Sequence, residues 1–311
     1  MMQIDKPILE LESKIQELKK LSQDNNIDLS TEIDILTRKL ENMKTQIYEN
    51  LTPWQKVNLT RSNDRPTSKD YILNICSDFI ELHGDRCFRD DLSIIGGIGL
   101  IDDICVTIIG HQKGKTVKEN IARNFGMPHP EGYRKALRLM KQADKFNRPI
   151  ITFIDTPGAY CGIGAEERGQ GEAIARNLLE MSSLGVPIIS IVIGEGGSGG
   201  ALALGVCNKL AMLEHSIYSV ISPEGLSSIL WKDVSKASQA ASIMKLTSND
   251  LYELEVVDKI IKEPLGGAQK DVKSTSESIK KYIIEQIRSY QNLTREEIID
   301  DRYKKFRKIG Y

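Results

Sequence analysis

Charge of either sign is not in excess in this chain. Its 42 Lys and Arg stand against 43 Asp and Glu, for a formal net charge of −1. It therefore lacks the basic footprint of a nucleic-acid or membrane-surface binder. No apolar run reaches the roughly 18 residues of a membrane span, and the polar N-terminus has no signal-peptide core. Cysteine is sparse and scattered: Cys76, Cys87, Cys105, Cys161 and Cys207, odd in number and without a C-x-x-C pair. That pattern argues against a zinc site and a disulfide framework, and for a reducing cytosol in which these cysteines are packing residues. A plastid setting remains compatible with it.

The first fifty residues carry a helical period. Ile8, Leu11, Ile15 and Leu18 recur at 3-4-3 spacing; after the polar break Gln23–Asn26, Leu29, Ile33, Leu36, Leu40, Met43 and Ile47 run 4-3-4-3-4. A heptad seam on each of two helices predicts an antiparallel hairpin over residues 1–65, serving packing or oligomerisation rather than chemistry. From Ser68 the period changes. A helix is expected near Tyr71–Leu82, then strands over Ile94–Ile101 and Ile104–Gly110 joined at Asp102-Asp103. A polar loop, His111 to Pro130, carries Lys113, Lys115, Lys118 and Arg123. An amphipathic helix over Glu131–Phe146 precedes a strand, Pro149–Asp155, which ends in Thr156-Pro157-Gly158-Ala159-Tyr160-Cys161-Gly162-Ile163-Gly164. A helix over Ala165–Leu184 follows, and then a second strand from Val186. The unit of buried strand, glycine-rich turn and helix thus occurs twice in a row. That implies an α/β layered fold with its turns gathered at one sheet edge. Residues 66–290 read as this domain and 291–311 as a mixed-charge tail.

The second turn is the most informative stretch. The apolar run Val186–Ile193 stops at Gly194-Glu195-Gly196-Gly197-Ser198-Gly199-Gly200, five glycines in seven residues, before the helix formers Ala201–Leu204. Glycine allows a sharp turn and a close approach to a ligand. The first amides of a helix lack intrahelical partners and suit an anion or an oxyanion. Three motifs overlap here. Gly194-x-Gly196-x-x-Gly199 fits a dinucleotide fingerprint, but Gly199 to the next apolar run at Leu210 leaves little room for a crossover helix. Gly196-Gly197-Ser198-Gly199-Gly200 fits a serine-hydrolase elbow, yet the only later histidine, His215, adjoins the only convenient acid, Glu214. A P-loop is excluded because no Lys-Ser/Thr follows. Chemistry alone ranks an oxyanion hole first and a Ser198 nucleophile second.

Several long strings carry a resemblance. They are Asp155–Tyr160 with Gly164–Gln170, the glycine turn, Tyr218–Gly225, Glu263–Ala268, and Asn124–Met127 with Glu131–Arg138. Together with the N-terminal hairpin and the final Phe306–Tyr311, they make the chain closely resemble, over nearly its whole length, the α subunit of bacterial-type acetyl-CoA carboxylase carboxyltransferase. One departure is Cys161, where the family commonly has proline.

The resemblance implies a crotonase-like fold of repeated ββα units. It also implies transfer of a carboxyl group from carboxybiotin, borne by the biotin carboxyl carrier protein and loaded by biotin carboxylase, to acetyl-CoA. The product is malonyl-CoA for fatty-acid synthesis. The family works as an α2β2 assembly whose β subunit carries a zinc ribbon and much of the acetyl-CoA site. Release of CO2 leaves charge on the ureido oxygen; the biotin anion removes the thioester α-proton, and the enolate attacks CO2. By family analogy, Gly199 and Gly200 amides hold the biotin oxyanion, with Gly196 and Gly197 beside them. Gly158, Ala159, Tyr160 and Gly162 shape the biotin pocket. Lys113, Lys115 and Arg123 are candidates for CoA or carboxylate contact, and no metal is expected in this chain. His111 and His129 read as structural, and Glu166 and Glu167 as helix-start acids.

Overall fold

Most seam residues of the first fifty positions meet, Leu18 and Leu29 standing outside their cluster. The computed structural model describes residues 6–25 and 27–310; residues 1–5, Asn26 of the predicted polar break and Tyr311 of the terminal string lie outside them. Helices α1 (Lys6–Asn25) and α2 (Ser30–Glu49) run antiparallel. Ile8, Leu11 and Ile15 share one apolar cluster with Ile33, Leu36, Leu40, Met43 and Ile47, and Lys44 pairs with Glu12 at 2.6 Å. Thr52 caps α3 (Pro53–Thr60) with a capping box. Leu59 of α3 completes the hairpin cluster, whereas Val57 packs into the body against Ile217, Ala241 and Leu246.

After α4 (Ser68–Ile75) come β1 (Asp78–Glu81), β2 (Ile94–Ile101) and β3 (Ile104–His111). The helix expected to reach Leu82 therefore ends at Ile75. Cys76 is already extended, and β1 pairs antiparallel with β2, from Asp78↔Leu100 to Glu81↔Gly97. Within the predicted polar loop lies α5 (Val117–Ala122); α6 (Pro130–Lys145), β4 (Ile150–Thr156), α7 (Ile163–Glu167) and α8 (Gln170–Ser183) follow. The single helix predicted over Ala165–Leu184 is broken because Gly169 takes a left-handed conformation (φ 81°). Next are β5 (Ile188–Gly197), α9 (Ser198–Leu202), β6 (Lys209–Leu213), β7 (Ile217–Ser219), α10 (Pro223–Trp231), α11 (Ala237–Ile243), α12 (Ser248–Glu253), β8 (Lys259–Ile261), α13 (Val272–Ser289) and α14 (Arg295–Lys308).

Among the described residues the strands form one sheet in the order β1-β2-β3-β4-β5-β6-β8, with β7 paired to the end of β5. The β1-β2-β3 part is antiparallel and the rest parallel. Strands buried on both faces alternate between two cores. Ile150, Ile154, Ile188 and Val192 pack with Ala136, Leu139 and Met140 of α6 and Met181 of α8. Ile151, Phe153, Ile189, Ile191 and Ile193 pack with Tyr71 and Ile72 of α4 and Ile279 and Ile283 of α13. No described helix is long and apolar enough to cross a membrane.

The terminal segment read as a mixed-charge tail carries α14, whose most buried contact with the body is a cation. Arg302 is 1% exposed and donates to the carbonyls of Met181, Leu184 and Val186 at 2.7–2.8 Å and to Asn208 Oδ1 at 2.7 Å. These carbonyls lie at and just beyond the end of α8, where the last turn lacks intrahelical donors. Arg302→Met leaves them unpaired and is expected to destabilise the chain by about 3 kcal/mol, read as a lower urea midpoint at unchanged m-value.

Candidate active site

The two turns singled out in the sequence lie side by side at one edge of the sheet, and a bulge brings them together. The β4–β5 ladder runs in plain register from Ile150↔Ile188 to Ile154↔Val192, then slips so that Thr156 faces Gly196. Two steps along β4 thus match four along β5. Such a bulge bends the strand and leaves ladder groups unpaired. Here side chains take them up: the Glu195 N–H donates to Asp155 Oδ1 (2.9 Å), and the Ile193 carbonyl accepts from Arg65 Nε (2.9 Å). Asp155 Oδ1 also accepts from Lys113 Nζ (2.6 Å).

Arg65 is buried and forms a bidentate pair with buried Glu263, at 2.8 and 2.9 Å. Burial pushes the Glu263 carboxyl up, but Arg65 outweighs it and holds the group down at about 2. Glu263 also accepts the N–H groups of His215 (3.0 Å) and Ala268 (2.7 Å), which places the Glu263–Ala268 string behind the bulge. Glu195 points to Arg61 at the end of α3 (2.7 Å), and Arg61 donates onward to Glu224 of α10 (2.6 Å).

Beyond the bulge β5 continues through Gly197, so Gly194, Gly196 and Gly197 lie in the strand. The turn falls on Ser198, in the left-handed region at φ 54°. Ser198 is exposed, Gly199 half-buried and Gly200 buried. These residues form the first turn of α9, whose amides have no intrahelical acceptor. Segment 157–159 presses on this turn. A Cβ on Gly200 would sit 2.5 Å from the Ala159 nitrogen and 2.6 Å from the Gly158 carbonyl carbon, and one on Gly197 would strike the Pro157 carbonyl oxygen. A Cβ on Gly199 would meet only Ile174 Cγ2, at 3.7 Å. Gly158 is fixed by Thr156, whose hydroxyl accepts its N–H at 3.1 Å. The Tyr160 ring lies over Gly162 and stacks on His129 at 4.3 Å, and its N–H donates to the Pro128 carbonyl at 3.0 Å.

The structure brings together Gly158, Ala159, Gly196, Gly197, Gly199 and Gly200, with Tyr160 and Gly162 on the flank. Of the three candidate cations, Lys113 reaches this edge, held by Asp155. Lys115 donates to Asp70 of α4 (2.7 Å), and Arg123 donates to the Leu92 carbonyl (2.6 Å). Sequence reasoning missed the supports Arg65, Asp155, Glu195 and Arg61. Asp155 had a signal, being an acid that closes an otherwise buried strand; Arg65 had none.

His111, 0% exposed, lies under the turn, with burial and then Lys113 pressing its pKa down to about 3. His129 Nδ1 meets Asn124 Nδ2 at 2.8 Å, and His215 packs near Tyr48. Among the described residues no histidine hydrogen-bonds to Ser198, so the elbow reading lacks a base. No group of three His, Cys, Asp or Glu side chains able to hold a metal ion occurs among them.

Two outcomes follow from this packing. Gly199→Ala is expected to keep the wild-type thermal midpoint. Gly200→Ala must displace residues 158–159, at a cost of about 1–3 kcal/mol, which differential scanning fluorimetry of both variants checks. The second concerns pH. A histidine with a depressed folded pKa stabilises fully above its unfolded pKa of 6.5, and that stability is lost as pH falls towards 3, because the unfolded chain takes the proton first. His129 and His215 are also held low, chiefly by burial. Urea unfolding at pH 5 is expected to show at least about 2 kcal/mol less stability than at pH 7, with a smaller loss in His111→Gln.

The family model for acetyl co-enzyme A carboxylase carboxyltransferase-like proteins matches residues 1–310. The acetyl-coenzyme A carboxylase carboxyl transferase subunit alpha of Alkaliphilus oremlandii is 62% identical over 306 residues, covering 98% of this chain and 97% of that protein. Its namesake from Staphylococcus saprophyticus is 58% identical over 310 residues, covering 100% and 99%. Among solved structures, transcarboxylase 12S matches with TM-score 0.56 at 18% identity over 72% of this chain and 43% of that one. A Pseudomonas malonate decarboxylase hetero-tetramer matches with TM-score 0.58 at 15% identity, over 68% and 85%. The likenesses to solved structures show the crotonase-like fold. With a full-length family match and relatives this close, the chain belongs to the family of acetyl-CoA carboxylase carboxyltransferase α subunits.

Proposed function

We propose that this chain supplies the biotin-facing half of a carboxyltransferase that moves a carboxyl group from carboxybiotin to acetyl-CoA. The observation that carries the reading is the α9 turn, with its unpartnered first-turn amides held rigidly against residues 157–159. Carboxybiotin, carried on a partner protein, supplies the carboxyl group when charge can settle on its ureido oxygen. The Gly199 and Gly200 amides stabilise that charge, and a well-aimed backbone donor is worth about 3–4 kcal/mol. Their preorganisation by a buried bulge means that no donor reorients during reaction. Gly158, Ala159, Tyr160 and Gly162 wall the ring pocket, and Gly196 and Gly197 give it close backbone approach.

Lys113 donates to Asp155 beneath the turn and is thereby spoken for. A direct CoA or carboxylate contact falls more readily to exposed Lys115, with Arg123 beside it. The acetyl-CoA half of the site belongs to a zinc-ribbon β subunit in an α2β2 assembly, served by the carrier protein and biotin carboxylase in the cytosol. Exposed apolar side chains support a permanent partner here: Val220 (81% exposed) follows β7, which pairs with the end of β5, and Ile229, Leu230 and Val234 lie in and after α10.

The test is the reverse reaction, malonyl-CoA plus free biocytin, with this chain alone, the zinc-bearing partner alone and the two mixed. Activity is expected only in the mixture. Gly199→Val, which adds a branched side chain at the half-buried first turn of α9 beside Ile174, is expected to lower kcat at least about 10²-fold. Ser198→Ala keeps near-normal rates, and the wild type is not labelled by a fluorophosphonate. Loss of transfer in Ser198→Ala together with labelling of the wild type would restore the hydrolase reading.

A further inference from the structure

The weakest part of the site, by its local sequence, is its most important one. Helix α9 has five residues, too few to be stable alone, and Gly199-Gly200 is the dipeptide with the most backbone freedom. Its own hydrogen-bond ladder is incomplete. The Ala203 N–H donates to Gly199 O (2.9 Å), but the Leu204 N–H donates to Ala201 O (3.1 Å), bypassing the Gly200 carbonyl. The Leu204 carbonyl is in turn fixed by the Thr152 and Ser190 hydroxyls at 2.8 and 3.1 Å.

The bypassed carbonyl meets a side chain from another strand. His111 Nε2 lies 3.2 Å from Gly200 O, while His111 Nδ1 accepts the Asp155 N–H at 3.4 Å. A carbonyl oxygen can only accept, so the contact with Gly200 assigns the ring proton to Nε2 and leaves Nδ1 to accept from Asp155. The histidine backbone is equally constrained: His111 pairs with Ile94 across β2–β3, and its carbonyl accepts from Ser68 Oγ at 2.6 Å. The ring therefore spans from the end of β4 to the first turn of α9, anchored on the sheet at one end and bonded to the short helix at the other.

We propose that His111, as its Nε2–H tautomer, is the positioning residue of the oxyanion turn, supplying to Gly200 the donor that the short helix cannot. It touches no substrate and moves no proton. Its work is to fix the Gly200–Ala201 peptide, and through it the adjoining Gly199–Gly200 peptide whose N–H faces the ligand. The burial that keeps the ring neutral also keeps this bond unchanged across the working pH range. This inference rests on the carboxyl-transfer reading above.

The experiment compares His111→Leu and His111→Gln with wild type in the reconstituted complex, using malonyl-CoA and free biocytin. The glutamine carboxamide reaches the Nε2 position and retains a donor. His111→Leu is expected to lose about 10²-fold in kcat with the KM for malonyl-CoA unchanged within threefold, and His111→Gln to recover at least tenfold of that loss. Assembly by gel filtration and thermal midpoints identify a variant that has simply failed to fold. Should both fail, ¹⁵N-histidine NMR of the wild-type chain decides: a buried ring protonated at Nδ1, or at both nitrogens near neutral pH, overturns the proposal. Wild-type rates in His111→Leu also overturn it, as does equal damage in both folded variants. An assembled wild type without transfer activity instead overturns the carboxyl-transfer reading, and the positioning role with it.

Discussion

The contact on which the site depends is backbone against backbone. Residues 157–159 rest directly on Gly197 and Gly200, closer than any side chain at those two glycines permits. That closeness cannot come from glycine alone, which is as free to separate as to approach. It is imposed from below by the slip between Ile154↔Val192 and Thr156↔Gly196. The extra length in β5 lifts its last residues over the end of β4. Asp155 and Arg65 then hold the lifted segment by accepting and donating the hydrogen bonds that the ladder has lost.

Charge is used here for support rather than for chemistry. Arg65 and Glu263 are buried together, and an isolated charge at either position would be prohibitively unfavourable. Each satisfies the other and also a backbone group, so the pair tolerates burial while locking β5 to the 263–268 segment. Arg61 extends the same arrangement to α10 through Glu195 and Glu224. The groups facing the proposed ligand are uncharged peptides. In the proposed reaction the proton acceptor arrives with the substrate, and such a reaction needs fixed dipoles more than a titrating side chain.

The outlying elements serve the same end at longer range. The hairpin cluster passes through Leu59 into α3, whose final residue neighbour Arg61 reaches the bulge. At the other end of the chain, Arg302 of α14 gathers the carbonyls beyond α8, the helix that carries Ile174 beside Gly199. Elements remote in sequence thus bear on both sides of one short turn.

Much of this was legible in the order of residues. The 3-4 spacing of Ile8 to Ile47 specified the hairpin, because a helix of 3.6 residues per turn aligns those positions whatever the rest does. Runs of isoleucine and valine bounded by glycine specified the parallel strands, and the strings around Asp155, Gly196 and Glu263 specified the family. Other features were decided only in three dimensions. β1 formed where a helix was expected because β2 offered an open edge across Gly97 and Gly99. The glycines of β5 became strand rather than turn because a neighbouring strand paired them. Arg65, His111 and Arg302 acquired their roles from carbonyls and amides far away in the chain. Local periodicity determines which elements form, since it acts within a few residues. The slip of a ladder, and the partner of a buried charge, depend on which unpaired backbone groups the packed elements leave exposed to one another.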